Sequence, residues 1–485
     1  MKNHGVVFSF ARKKKIFFYQ RNDFSFTNSR PTHEVGRNEF VKNHGVVFSF
    51  ARKKKIFFYQ RNDFSFTNSR PTYEVGRNEF VKNHGVLFPQ SKNDIKEEFS
   101  LQKNIAEWDA LAQTMTEIYH DLHKIPELGL QEHKTAAYIR ATLTHFGITT
   151  WEKWLETGTV AVIHGKGNAP AVAFRADIDA LPVQEESGLP FASEHAGCMH
   201  ACGHDGHTTI LLGFAKYLKM HQDELQGDVV LIFQPAEEGP GGAQLLVDAG
   251  LFEKYPVRCI IGCHIFPQVP QGKVACRKGA MMARNGEVDI HITGQSAHGA
   301  QPQLGQDAVL AAGAVITGLH TILSRNISPL ESGVLTFGKI QGGEACNIIA
   351  KEVKLEGTMR AFSDTAYDTM VQRIQETAQG IAAGYGCKGE AVFRHMYRVV
   401  ENDAELVQIL EEVVGDAYEE TQPYMLAEDF SLYLQKVPGM FFFLGSGNPE
   451  KGLTHALHSA CFAFDPAILP LGVQTYAALL EKLQK

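Results

Sequence analysis

Three short apolar runs in this chain each lead the backbone directly into metal-binding or acid–base side chains. The runs are 171–174 leading into Arg175-Ala176-Asp177-Ile178-Asp179, 229–233 leading into Gln234-Pro235-Ala236-Glu237-Glu238, and 259–263 leading into His264. Apolar stretches of about five residues suit strands of a parallel sheet covered on both faces. Open α/β sheets bind ligands just beyond the carboxyl ends of such strands. Between the first two runs lies Met199-His200-Ala201-Cys202-Gly203-His204-Asp205-Gly206-His207, dense in soft and borderline metal ligands. One strand end with a carboxylate means little. Three of them beside this cluster define a candidate site.

At 485 residues the chain has room for about two to three domains. Its charge is uneven. Residues 1–81 carry 16 Lys+Arg against 6 Asp+Glu, a net of +10; the whole chain is −7, leaving −17 for residues 82–485. An acidic body argues against nucleic acid as the main ligand, because phosphate binding needs a basic face. No apolar run approaches the ~20 residues that span a bilayer, so no membrane partner is expected. The N-terminus does not read as a secretory signal, since Arg12-Lys13-Lys14-Lys15 follows the short apolar stretch instead of preceding it. Eight cysteines dispersed through a long chain do not resemble a disulfide framework, and reduced thiols in a cytoplasmic protein are expected.

Residues 2–41 recur as 42–81 with one difference, His33 against Tyr73, and Lys82-Asn83-His84-Gly85-Val86 begins a third copy that breaks off. Near-identity at this period marks duplicated coding sequence, because solenoid repeats drift while keeping their spacing. A basic arm for an anionic surface is conceivable. A poorly packed extension without function is preferred, since nothing later in the chain needs it. Residues 82–100 read as a linker and 101–283 as a first catalytic part. Helices are expected at 108–124 and 135–146, then strands alternating with helices to about 282, the pattern of a mostly parallel, doubly wound α/β layer. From 284 to 396 the order becomes βαββαβ, a ferredoxin-like unit: strands 287–293, 333–340, 352–359 and 388–393, helices 307–323 and 365–383. Residues 397–485 return to α/β, with helix 404–418, strand 440–445 and helix 466–483. The reading is one catalytic domain interrupted by a smaller one.

Adjacent residues at a strand end point in different directions, so of Glu237 and Glu238 one can bind metal while the other faces substrate. A metal-activated water needs a proton acceptor within hydrogen-bond reach, and a glutamate suits that task. Cys202 and His204 flank a glycine and can reach one ion or two neighbouring ions. Thiolate and imidazole suit Zn(II) and related metals, while the carboxylate share leaves Mn(II) open. His264 alone would read as a satisfied core histidine. Asp177 and Asp179 share a face if strand geometry persists; Asp179 is assigned the work of fixing the tautomer of a ligating histidine, and Asp177 and Asp205 stand as weaker candidates for such bracing. Late in the chain His458 is the better ligand candidate and His455 the alternative.

Taken in order, Arg-Ala-Asp-Ile-Asp-Ala-Leu-Pro (175–182), Met-His-Ala-Cys-Gly-His-Asp (199–205), Phe-Gln-Pro-Ala-Glu-Glu (233–238), Gly-x-x-Ala-His-Gly-Ala-x-Pro (294–302) and Glu-Asp-Phe (428–430) resemble the M20 metallopeptidase/amidohydrolase family. The branch most similar is that of hippurate hydrolases, N-acyl-amino-acid amidohydrolases and auxin-conjugate hydrolases. The resemblance spans roughly residues 101–485 and leaves the duplicated extension without a counterpart. It implies a catalytic layer, a dimerising lid, and two divalent ions per subunit, Zn or Mn first and Co or Ni as alternatives. It also implies the ligands Cys202, His204, Glu238, His264 and His458, with Glu237 as general base. His298 resembles the lid histidine that stabilises an oxyanion, reaching the partner subunit's site. Asn347 and Arg360 resemble the groups that hold the substrate carboxylate, a role suited to the fork of arginine. The expected reaction is hydrolysis of the amide in an N-acyl amino acid, and the expected assembly is a homodimer or larger through the lid. The competing readings are a dipeptidase or aminopeptidase of the same fold, and an inactive metal-bound binding protein.

Overall fold

The computed structural model describes residues 105–485 and, ahead of them, five short strands in the duplicated extension: β1 (Gly5–Ala11), β2 (Lys15–Tyr19), β3 (Gly45–Phe48), β4 (Phe50–Arg52) and β5 (Lys55–Phe57). Strand β1 pairs in parallel with β3, Gly5 opposite Gly45, so the two copies meet at equivalent residues. The side-chain packing on which the expectation of poor packing in 1–81 turns, and the linker expected at 82–100, lie outside what is described.

The body opens with α1 (Ile105–His123) and α2 (His133–His145). It continues through β6 (Trp151–Trp154), β7 (Gly158–Ile163), β8 (Ala169–Asp177), α3 (His204–Met220), β9 (Gly227–Gln234), α4 (Gly242–Asp248), α5 (Leu251–Lys254), β10 (Cys259–Pro270), β11 (Val274–Cys276) and β12 (Gly279–Met282). A smaller unit follows: β13 (Arg284–Thr293), α6 (Ala308–Leu319), α7 (Thr321–Arg325), β14 (Gly333–Gly342), β15 (Glu352–Ala361), α8 (Asp364–Gly384) and β16 (Lys388–His395). The chain then returns through β17 (Val400–Asn402), α9 (Ala404–Val414), β18 (Tyr418–Glu420), β19 (Gly439–Gly447) and α10 (Leu469–Leu483).

The large sheet has the order β18-β11-β19-β10-β8-β9-β7-β6. Its four central strands, β19, β10, β8 and β9, are mutually parallel. Antiparallel pairs with β11 on one side and β7 and β6 on the other extend it. Phe174, Leu231, Ile232, Ile260 and Phe441 are fully buried within those central strands. Burial on both faces is why they read as unbroken apolar runs. Because β19 follows the smaller unit in sequence, the central sheet closes only when both parts of the interrupted domain meet.

The smaller unit, the lid, is an antiparallel sheet of order β14-β15-β13-β16 packed against α6 and α8. Along β13 the core-facing Val288, Ile290 and Ile292 are buried and Glu287 and His291 on the other face are exposed, the period of a sheet with one covered face. Asp289 on that open face is buried by its ion pairs to Arg394 and Lys354. Two separate apolar cores result, one drawn from residues before and after the lid and one from the lid itself.

Three element expectations change. Strand β10 runs on to Pro270, so His264 lies inside a strand and not at its end. Its pairing with β8 stops at Gly262, which leaves His264 beyond its neighbour's last pair and free to face the site. The helix expected over 307–323 is two helices that break at His320. That stretch, Ala308–Arg325, is long and apolar enough by composition to cross a membrane (mean hydropathy 1.4), yet its break and its packing on the lid sheet make it a lid element. The helix expected over 404–418 ends at Val414, where Gly415 takes a φ of 52° that few other residues adopt, and Tyr418 starts β18.

Candidate metal centre

The carboxyl ends of the parallel strands supply the scaffold. Asp177, the last residue of β8, and Asp179 just beyond it are both buried; past β9, the chain turns at Ala236 (φ 57°) and presents Glu237 and Glu238. The Ala236 N–H donates to the buried Glu132 carboxylate at 2.8 Å, which fixes that turn. Gly242 completes it, because a Cβ there would lie 1.7 Å from the Pro235 carbonyl oxygen. Between β8 and β9, Gly203 takes a φ of 86° immediately before α3, so that Cys202 ends a loop and His204 begins a helix. The His458 N–H donates to the Ala201 carbonyl at 2.8 Å, drawing the late loop onto this turn.

These segments converge. Donor atoms of Cys202, His204 and His264 lie within 4.8 Å of one another, as do those of Cys202, Glu238 and His458, and those of His204, Glu237 and Glu238. The first two triads share Cys202. Its Sγ is 3.4 Å from His264 Nε2, and Glu238 Oε1 is 3.0 Å from His458 Nε2. All five expected ligands therefore face one space, with Glu237 beside them.

The groups behind the ligands set their tautomers. His264 Nδ1 donates to the Ile265 carbonyl at 2.7 Å, leaving the Nε2 lone pair toward Cys202. His204 Nδ1 lies 3.2 Å from Asp179 Oδ1, while Asp179 Oδ2 accepts from the Glu238 N–H at 3.0 Å, so one carboxylate braces two ligands. Asp177 bonds His207 Nδ1 at 2.6 Å and Arg175 at 2.7 Å. Asp205 turns away from the ligands to His123, at 2.6 Å.

The electrostatics suit cations. Burial, then the charges of Glu238 and Glu237, hold the Cys202 thiol well above its ordinary range. Burial alone would lower His204, but Asp177 and Asp179 push it up to about 10. Burial, then Glu428 and Glu238, hold the Glu237 carboxyl well above the usual carboxylate range. His204 Nε2 is buried and has no hydrogen-bond partner. A soft sulfur, imidazole nitrogens and carboxylates crowded around a buried, unpartnered imidazole nitrogen form a donor set that fits a divalent metal, which would displace the His204 proton on binding.

The peptidase family M20/M25/M40 pattern matches residues 173–482, which include every one of these donors. The chain belongs to this family. It is 41% identical to the N-acetyldiaminopimelate deacetylase of Bacillus subtilis over 345 residues, covering 70% of this chain and 91% of the relative. It is 40% identical to the IAA-amino acid hydrolase ILR1-like 4 of Arabidopsis thaliana over 377 residues, 76% of this chain and 85% of that one. Among solved structures, the YXEP protein of Bacillus subtilis, a dinuclear metal binding peptidase from the M20 family, superposes with a TM-score of 0.68 at 34% identity, covering 77% of this chain and 98% of that one.

The remaining expected M20 residues are in the lid. His298 is exposed, accepts at Nδ1 from the Ala300 N–H (3.1 Å), and bridges to Ile348. Asn347 is beside it, its carbonyl accepting from Gly299 N–H at 2.8 Å. Arg360 lies half-buried in β15, opposite Asn285. Among the described residues no hydrogen bond or ion pair joins these three to the metal-ligand cluster. His455 is likewise outside the triads.

Several supporting residues escaped the sequence reading. His207 stands three positions after His204 on α3, and its Nε2 accepts the Ile265 N–H at 2.8 Å, steadying the strand that carries His264. That i, i+3 spacing was a usable signal. Arg175, fully buried, reaches Asp177 (2.7 Å), Asp429 (2.8 Å) and Glu428 (3.0 Å), and Gln234 donates to Asp429 at 2.7 Å. The Asp429 N–H in turn faces Glu237 Oε1 at 3.4 Å.

Proposed function

We propose that this M20 protein hydrolyses the amide bond of N-acyl amino acids, releasing a carboxylic acid and a free amino acid. The observation that carries the reading is the pair of triads sharing Cys202, with Glu237 within 4.8 Å of the donor atoms of His204 and Glu238. The relatives' names add the substrate class: N-acetyldiaminopimelate in one and IAA–amino acid conjugates in the other. Both are amides on the nitrogen of an amino acid.

Cys202, His204, Glu238, His264 and His458 would hold two divalent ions, Zn(II) or Mn(II) first and Co(II) or Ni(II) as alternatives. When bound, such ions polarise an amide carbonyl and lower the pKa of a water. Glu237 takes a proton from the attacking water and returns it to the departing amine. A carboxyl that burial and neighbouring acids hold above its usual range fits the second half of that shuttle. Asp179 keeps His204 oriented throughout.

The lid's part is to receive the substrate's charges. His298 would donate to the developing oxyanion, and Asn347 and Arg360 would bind the carboxylate of the amino acid. The resemblance to M20 enzymes supports His298 acting in the partner subunit's site, so a homodimer through the lid is part of the proposal; the exposure of His298 and its local contacts are consistent with that.

The test is release of amino acid from N-acetyl, N-benzoyl and indole-acyl amino acids, compared with dipeptides bearing a free α-amine. The protein is assayed after chelation and after reloading with Zn(II), Mn(II), Co(II) or Ni(II). Metal-dependent turnover confined to the N-acyl compounds is expected. Faster cleavage of the free-amine dipeptides would replace this reading with a dipeptidase.

A further inference from the structure

The chain crosses between catalytic domain and lid twice, outward at residues 283–286 and back at 395–399, and the two crossings are clasped together. The Asn285 N–H donates to the Tyr397 carbonyl (3.2 Å), the Met396 N–H to the Asn285 carbonyl (3.2 Å), and the Tyr397 N–H to Asn285 Oδ1 (2.9 Å). Asn285 and Tyr397 are both buried. A clasp this compact joins the two crossings into one piece.

That piece contacts the Glu237 backbone directly and its carboxylate through an intervening segment. The Tyr397 hydroxyl donates to the backbone carbonyl of Glu237 at 2.7 Å. Its ring lies against the turn that follows, where a Cβ on Gly241 would come within 3.2 Å of it. On the carboxylate side the contact runs through residues 424–431. The outward crossing donates from Ala283 N–H to the Leu426 carbonyl (2.8 Å), and the returning crossing donates from Arg398 N–H to Ser431 Oγ (3.1 Å). Between those two anchors sits Asp429, whose N–H faces Glu237 Oε1 at 3.4 Å.

We propose that Tyr397 is a positioning residue that ties the orientation of the lid to the placement of Glu237. The hydroxyl sets the peptide from which the Glu237 side chain springs, so lid rotation about the clasp is felt at the proton acceptor without any substrate contact. A misplacement of about 1 Å at a reacting group is enough to cost on the order of a hundredfold in rate. The proposal rests on Glu237 being the base, as above.

The decisive variant is Tyr397→Phe, which keeps the ring against Gly241 and deletes only the donor. In the full-length metal-loaded protein, kcat is expected to fall by about 10–100-fold with KM within about threefold of wild type, the pattern of a lost transition-state interaction. In a Glu237→Ala background the same change should slow residual turnover by less than about twofold, because the two act through one group. Hydrogen–deuterium exchange on the same samples supplies a readout independent of turnover. Amides in 236–243 should exchange up to about tenfold faster in Tyr397→Phe, the effect of one hydrogen bond, with α3 and β8 unchanged. Wild-type kcat in Tyr397→Phe, multiplying effects in the double variant, or unaltered exchange at 236–243 would each overturn the proposal. A wild-type protein inactive on every N-acyl amino acid would sink the functional reading instead, and the exchange experiment would still decide the link.

Discussion

Glu237 and Glu238 are neighbours in sequence with opposite surroundings. Glu238 faces His458 and His204 and is held below its ordinary range against the effect of burial, whereas Glu237 lies among Glu428, Glu238 and Asp429 and is held above it. The proposed division of labour, Glu238 as ligand and Glu237 as base, is consistent with that difference. Glu237→Gln keeps the side chain's size and should retain metal content and the circular dichroism spectrum, while kcat falls by about 10²–10⁴-fold. Near-wild-type turnover in a metal-loaded sample would remove Glu237 from the role. Asp179 supports two ligands, so Asp179→Ala should weaken metal binding by about 10–100-fold in a chelator competition. Unchanged affinity would mean that His204 is held by other groups. Four of the five candidate ligands were legible in the sequence because each follows an apolar run or flanks a glycine; His458, in Thr454-His455-Ala456-Leu457-His458, carries no such local signal. Arg175 was not legible either, since a cation among the apolar residues of β8 carries no sign of the acids it meets from residues 428 and 429, more than 250 positions later.

At the level of elements, local signals held where one helix or strand decides its own bounds and failed where neighbours decide. The apolar run at 259–263 locates β10, but pairing with β19 carries the strand on to Pro270. Helix α1 shows the same dependence on distant partners. Its last residue, His123, is buried between Asp205 at the start of α3 (2.6 Å) and Glu185 in the loop after β8 (3.3 Å). Burial opposes its charge, but Asp205 and Glu185 prevail and raise it to about 9 from an ordinary 6.5. The folded state therefore binds more protons than the unfolded state between those values, and stability must fall as pH rises through them. The contribution, about 3 kcal/mol, is complete below pH 6.5 and lost above about pH 9. Urea unfolding at pH 6 and pH 9.5 should show the decline in the wild type, and His123→Gln should flatten it. An equal slope in both proteins would assign the pH dependence to other groups.

Across the whole molecule, the lid displays apolar surface that its own core does not use. Val309 and Leu310 are 51% and 58% exposed on α6, and Ile340 is 57% exposed on β14, the edge strand of the lid sheet. An exposed apolar helix face beside an unpaired strand edge is a surface that a monomer pays to keep in water. A lid-to-lid dimer would cover it, and the exposed His298 loop belongs to the same unit. Leu310→Asp with Ile340→Lys should yield a monomer by sedimentation. That monomer should keep its metal, because all five ligands come from the catalytic domain, and lose turnover. A sharper test mixes two inactive variants, Glu237→Gln and His298→Ala, by unfolding and refolding them together. If His298 serves the partner's site, a mixed dimer has one site with both faults and one with neither. Equal mixing makes half the dimers mixed, so about a quarter of wild-type activity should return. Activity that stays at the level of the separate variants would show that His298 serves its own subunit or none.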